Sequence, residues 1–113
     1  MSESANLDPV VITLDVDWAH DFINFWLIDL FIEHQVKSTW FITHENEYLD
    51  KLREFPDLFE FAIHPNRLAN SDHGSDDKAV LKYMKALVPE AVSMRTHGLY
   101  QTSNFLAIAN LEY

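Results

Sequence analysis

Hydrophobic and polar positions follow two different periods along this chain, and the switches between them mark its elements. Residues 10–17, Val-Val-Ile-Thr-Leu-Asp-Val-Asp, start as an apolar run and end in two carboxylates. That pattern predicts a buried strand that delivers Asp15 and Asp17 at its C-terminal end. Residues 21–35 have helical character, with Asp21 near the start, where a carboxylate suits the helix dipole. At 100° per residue, Ile23, Trp26, Leu27, Leu30 and Phe31 share one face, expected to pack on the sheet. Phe22, Phe25, Ile28 and Ile32 fall on the opposite side with Asp21, Asn24 and Asp29, so an apolar outer surface is expected as well.

The period then returns to two. Residues 37–43, Lys-Ser-Thr-Trp-Phe-Ile-Thr, are rich in β-branched and aromatic types and predict a second strand ending at His44. A short helix is expected over 45–55, burying Tyr48, Leu49, Leu52 and Phe55 and ended with the help of Pro56. A third strand, 58–63, closes on His64-Pro65-Asn66. A polar loop, 67–76, carries Ser71-Asp72-His73-Gly74. Residues 77–88 predict a helix with Val80, Leu81, Met84 and Leu87 at helical spacing, stopped by Pro89. A short fourth strand, 91–95, leads into Thr96-His97-Gly98, and Ser103 reads as the N-cap of a last helix over 104–111.

The order β-α-β-α-β-α-β-α implies right-handed crossovers and a parallel sheet, an α/β fold. Four such units make about half of a closed (β/α) barrel, which has roughly eight. Residues 1–9 read as an extended or disordered lead-in, and 10–113 as one domain.

Composition narrows the function. The chain has 113 residues, 48% of them hydrophobic and 13% aromatic, enough for a real core. A net charge of −10 argues against non-specific nucleic-acid binding, which needs clustered Lys and Arg. There is no cysteine, so neither disulfides nor a thiolate metal site can form. The first residues lack the basic and apolar parts of a signal peptide. The longest apolar run, 22–32, is broken by Asn24 and Asp29 and falls short of the roughly 20 residues that span a bilayer. A cytoplasmic protein without membrane insertion is the expectation.

Five of the six histidines, His20, His44, His64, His73 and His97, follow predicted strands or lie in strand-to-helix loops. In a parallel α/β fold those positions share one edge, so the five imidazoles converge with Asp15 and Asp17. Without cysteine, His and carboxylate are the ligands expected for a borderline divalent metal: zinc foremost, with Co, Ni, Fe and Mn as other fits. Each residue taken alone has a plainer reading. Asp15 or Asp17 would also cap the following helix, His64 would satisfy loop carbonyls, His73 would sit exposed in its loop, and Arg95 would form a surface ion pair.

Three segments carry a family resemblance. Thr13-Leu-Asp-Val-Asp17, Glu60-Phe-Ala-Ile-His64-Pro-Asn66 and Met94-Arg-Thr-His-Gly-Leu99 resemble motifs of the polysaccharide deacetylases of the NodB-homology type, carbohydrate esterase family 4. The His-Pro-Asn, Ser-x-His-Gly and Arg-x-His succession looks most like a branch found with O-antigen and other surface-polysaccharide genes.

The resemblance implies a distorted (β/α) barrel that removes N- or O-acetyl groups from a sugar with the help of a metal. It casts Asp15 as the base, Arg95 as its partner, and Asp17 and His64 as metal ligands. The family's second histidine comes four residues after the first, where this chain has Leu68, so His73 is the expected replacement. Trp18 and His97 are expected to contact the acetylated carbohydrate. The first motif is Asp-Val-Asp rather than Asp-Asp, which leaves open which acid is base and which is ligand.

The later motifs of the family, with the histidine that acts as general acid, are expected beyond Tyr113. The 113 residues then form the N-terminal part of the barrel, with a missing half or a homodimer to close it. Two rivals stand beside this reading: a non-catalytic deacetylase-like scaffold that self-associates or binds a sugar, and a phosphate-ester hydrolase on the same architecture. The low Lys and Arg content disfavours the second.

Overall fold

The computed structural model describes residues 9–17, 19–68 and 70–113. Trp18 and most of the expected lead-in lie outside the described residues. The elements are β1 (Thr13–Asp15), α1 (Asp21–His34), β2 (Ser38–Ile42), α2 (Tyr48–Arg53), β3 (Phe59–Ile63), α3 (Asp77–Leu87) and α4 (Ser103–Glu112), with a 3₁₀ turn at His97–Leu99 before α4. The strands are parallel in the order β1-β2-β3. Beyond β3, Met94 bridges Ile63, also in parallel. The predicted fourth strand is therefore reduced to one bridge, held by Ile63 N–H to Ser93 O and Arg95 N–H to Ile63 O, both 3.0 Å.

β1 is shorter than the pattern predicts. Thr13 pairs with Thr39, so Val10 and Val11 lie ahead of the first residue of β2 and have no strand beside them in this sheet. They are 85% and 76% exposed, not buried. The apolar run signalled a strand, but the register decides how much of it pairs.

The core lies between the sheet and the helices, built on Trp40, Ile42, Tyr48, Leu52, Phe59, Val80, Leu81, Met84 and Phe105. Trp40 is central, with Phe31, Tyr48 and Phe59 packed around its ring at 6.1–6.3 Å between centroids. α3 follows its pattern: Asp76 caps it by accepting the Ala79 N–H at 2.8 Å, and Val80, Leu81 and Met84 are buried. The last helix is capped by Thr102, whose Oγ1 accepts the Phe105 N–H at 3.0 Å, rather than by Ser103.

α1 departs most from expectation. Its inward residues are Asn24 and Ile28, with Phe25, Leu27, Phe31 and Ile32 half-buried against the core. Phe22, Ile23 and Trp26 face outward instead. Apolar residues encircle this helix, so its periodicity points nowhere in particular. Tertiary contacts choose the face, among them the edge-to-face pair Phe25–Tyr48.

Candidate metal centre

Alternation along the strands places the polar side chains. Trp40, Ile42, Phe59, Phe61 and Ile63 belong to the helix-covered core, so the residues between them face the other way. Carried through the register, that parity puts Thr13, Asp15, Asp17, Phe41, His64 and Arg95 on the opposite face of the sheet. The acids sit at the end of β1, His64 directly after β3, and Arg95 directly after the Met94 bridge.

Arg95 reaches across to the first strand. Its Nε and Nη2 both donate to Asp15 Oδ1, at 3.0 and 2.6 Å, and Nη2 also donates to Thr13 Oγ1 at 3.2 Å. The guanidinium lies over the Phe41 ring, 4.1 Å from its centroid. Stacking and a two-point grip fix the plane of Arg95. Both bonds go to Oδ1, so Asp15 Oδ2 lies outside the grip.

Asp17 is the meeting point of two imidazoles. His64 Nε2 lies 3.3 Å from its Oδ2, and His97 Nδ1 lies 3.2 Å from its Oδ1. The two rings meet edge to face, 5.6 Å between centroids. The backbone sets the His64 tautomer. In the ladder between residues 63–65 and 93–97, the next amide after Ile63 in line to bond the Arg95 carbonyl belongs to Pro65, which has no N–H. The Arg95 carbonyl instead accepts from His64 Nδ1 at 2.5 Å. A ring that donates through Nδ1 turns the lone pair of Nε2, in its neutral form, toward Asp17. Two acceptors facing each other at 3.3 Å call for a proton or a cation between them.

These residues fit a divalent metal. Asp17, His64 and His97 each offer one donor atom, all within 4.8 Å of one another. A tetrahedral site with bonds of about 2.0–2.1 Å separates its donors by roughly 3.3–3.4 Å, within the 4.8 Å span of these three donor atoms. One carboxylate and two neutral imidazoles, with room for a further ligand, suit zinc and its neighbours.

His73 stands elsewhere. It is buried, its ring stacks on Tyr83 at 4.7 Å, and its Nδ1 accepts the Asn66 N–H at 2.9 Å. Burial pushes the ring below the ordinary histidine value, only partly offset by a hydrogen bond to the Thr43 backbone. Thus the five histidines expected at this edge do not all converge: His64 and His97 meet at Asp17, and His73 lines the same cleft without joining them. His44 lines that cleft too, while His20 is exposed and stacks on Phe22. The parity that pairs Asp15 with Asp17 also pairs Arg95 with His97, a signal for His97 that was present in the sequence.

The cleft holds about 390 Å³ and is bordered by Asp17, Thr43, Asn66, Asp72, Tyr83 and His97 among others. A roomier groove of about 530 Å³ runs between residues 91–94 and α4, but its lining is mostly apolar and carries no such donors. Asp17 and His97 border the smaller cleft. The polar loop beyond it is tied down by Asp77, which accepts from Arg67 Nε and from Asn104 Nδ2 at 2.5 and 2.9 Å.

Residues 12–112 match the family model described as WbmS-like polysaccharide deacetylase. The chain belongs to the WbmS-like polysaccharide deacetylase family. A crystal structure from Bordetella bronchiseptica, that of a "putative polysaccharide deacetylase involved in O-antigen biosynthesis", is similar at 36% identity with a TM-score of 0.79. The match covers 90% of this chain and 43% of that protein, so this WbmS-like chain spans less than half the length of that relative. The parallel α/β arrangement is accordingly part of a polysaccharide-deacetylase barrel. No curated protein sequence matches. Among the described residues of this family member, no helix is long and apolar enough to cross a membrane.

Proposed function

We propose that this chain carries the metal-binding and base-bearing side of a carbohydrate deacetylase that acts in surface-polysaccharide metabolism. The supporting observation is the adjacency of two acid centres on one sheet face: Asp17 between two imidazoles, and Asp15 gripped by Arg95. Asp17, His64 and His97 would hold a divalent metal, zinc foremost. When bound, that metal supplies the Lewis acidity that polarises an acyl carbonyl and makes water a better nucleophile.

The chain's own residues have separable tasks. Arg95 holds Asp15 through Oδ1 alone, which leaves Oδ2 to take a proton from the attacking water. The water oxygen bonds to the acetyl carbon, the bond from that carbon to the sugar nitrogen or oxygen breaks as that atom takes up a proton from solvent, and acetate leaves. Phe41 stacks beneath the guanidinium and supports the grip of Arg95 on Asp15. His97, rather than the expected His73, serves as the second imidazole. Carbohydrate contacts for Trp18 and His97, expected from the sequence, fit the neighbouring cleft for His97; Trp18 lies outside the described residues.

Acetate release from an acetylated amino sugar, with and without added zinc, tests the reading. Release is expected to be slow, because the resemblance puts the general acid in a part of its relatives that this chain does not span. It should require metal and vanish in Asp15→Asn. Acetate release that survives both Asp17→Asn and His64→Ala would overturn the proposal.

A further inference from the structure

His73 has a place in the fold that none of the roles above explains. It lies on the loop between β3 and α3, nine positions after His64, and the loop folds back so that its ring reaches the Asn66 amide. That amide belongs to the Pro65–Asn66 peptide group. The carbonyl of the same peptide group, Pro65 O, accepts the His97 N–H at 2.9 Å. One peptide plane is therefore held from both sides, by the His73 imidazole on its N–H and by the His97 amide on its C=O. The residue before that plane is His64 and the residue bonded to it is His97, so its orientation bears on both imidazoles at Asp17.

The surroundings are built to keep the His73 ring in place. Its own N–H donates to Ser71 Oγ at 3.0 Å, which closes the loop locally. Its ring stacks on Tyr83 of α3 with an interplanar angle of 18°. With Nδ1 accepting from Asn66, the hydrogen bond to the Thr43 backbone falls to Nε2–H. Both ring nitrogens then serve the backbone, one at the end of β3 and one at the end of β2. A neutral ring bonded in this way has no lone pair left for a metal. The next residue, Gly74, has φ +147° and lies so close to α3 that a Cβ there would meet Ala79 Cβ at 2.7 Å. The loop therefore reaches α3 at a position only glycine allows.

We infer that His73 is a positioning residue: by accepting the Asn66 N–H it fixes the Pro65–Asn66 peptide plane, and through it the placing of His64 and His97 at Asp17. This inference rests on the metal-centre reading for its consequence, but the peptide clamp itself does not. Asparagine and phenylalanine separate the contributions. Asn keeps an acceptor oxygen where Nδ1 stands, whereas Phe keeps the stacking on Tyr83 and loses the acceptor.

The experiment uses the 113-residue chain, with amide hydrogen exchange of Asn66 and His97 followed by NMR, and zinc titration alongside. In His73→Phe the Asn66 amide should exchange at least about tenfold faster, and zinc should bind about 10–100-fold more weakly, the usual loss when a residue supporting the ligands is removed. In His73→Asn both should stay within about threefold of the parent, because the acceptor is restored. A direct ligand would behave otherwise: His73→Asn would then lose zinc as completely as His64→Ala. That result, or an unchanged Asn66 amide in His73→Phe, would overturn the inference. A parent chain that binds no zinc would refute the metal centre and leave the clamp to be decided by the Asn66 amide alone.

Discussion

Substituting Gly74 by alanine probes how the β3–α3 loop is seated. At φ +147° an L-residue is strained by about 1–3 kcal/mol. The added methyl would stand 2.7 Å from Ala79 Cβ and 3.2 Å from both Ala79 C and Val80 N. The last two are backbone atoms of the first turn of α3 and cannot rotate away, so overpacking adds about 1–3 kcal/mol. Gly74→Ala should therefore cost about 2–6 kcal/mol. Gly98 is the internal control. It also has positive φ, +69°, but a Cβ there finds nothing nearer than the Leu68 methyls at 3.9 Å. Gly98→Ala should cost only the conformational part, about 1–2 kcal/mol.

Urea unfolding followed by far-ultraviolet circular dichroism measures both. With slopes of about 1–3 kcal/mol per molar, Gly74→Ala should lower the midpoint by about 1 M or more, and clearly further than Gly98→Ala. Equal midpoints for the two variants would refute the close approach of this loop to α3.

Other consequences follow from single contacts. Asn24 is 4% exposed, and its Nδ2 has no partner among the described residues, so Asn24→Leu, which keeps the branched heavy-atom skeleton and removes the orphaned amide, should raise stability by about 1 kcal/mol in the same urea experiment. Thr102→Ala should cost about 0.5–2 kcal/mol and Ser103→Ala almost nothing, since Thr102 holds the cap of α4. Burial holds His73 below its ordinary value of 6.5, so the unfolded chain takes up that proton first as pH falls. The contribution of the neutral ring is complete above about pH 6.5 and is lost as pH drops through that value toward the lower folded one. The difference in unfolding midpoint between the parent and His73→Asn should therefore shrink on acidification; a difference independent of pH would count against the buried neutral ring.

Part of the polar cluster was legible in the sequence because the C-terminal ends of parallel strands share one edge. Asp15 and Asp17 two apart at one strand end, His64 after another and Arg95 after a third do lie together, as that edge implies. Three things were not legible, each for a physical reason. The inward face of α1 was misread, since apolar residues on all sides leave its direction to contacts such as Phe25–Tyr48. The length of β1 was overestimated, because the register with β2 decides where pairing begins. The place of His73 was not foreseen: it stands off Asp17, where His97 meets His64 instead. His97 reaches Asp17 through a ladder whose last bond is to Pro65, and His73 is committed to a backbone amide by a loop closure that spacing does not reveal. Pro65 is the instructive residue. It reads as a loop breaker in the sequence, and in the fold its missing N–H leaves the Arg95 carbonyl to His64.

The central claim is that Asp17, His64 and His97 together hold a divalent metal. Zinc titration by calorimetry of the parent chain and of Asp17→Asn, His64→Ala and His97→Ala, each checked for folding by circular dichroism, tests it most directly. One equivalent of zinc is expected in the parent, and its loss in all three variants. One equivalent still bound with parental affinity by folded His97→Ala would contradict it.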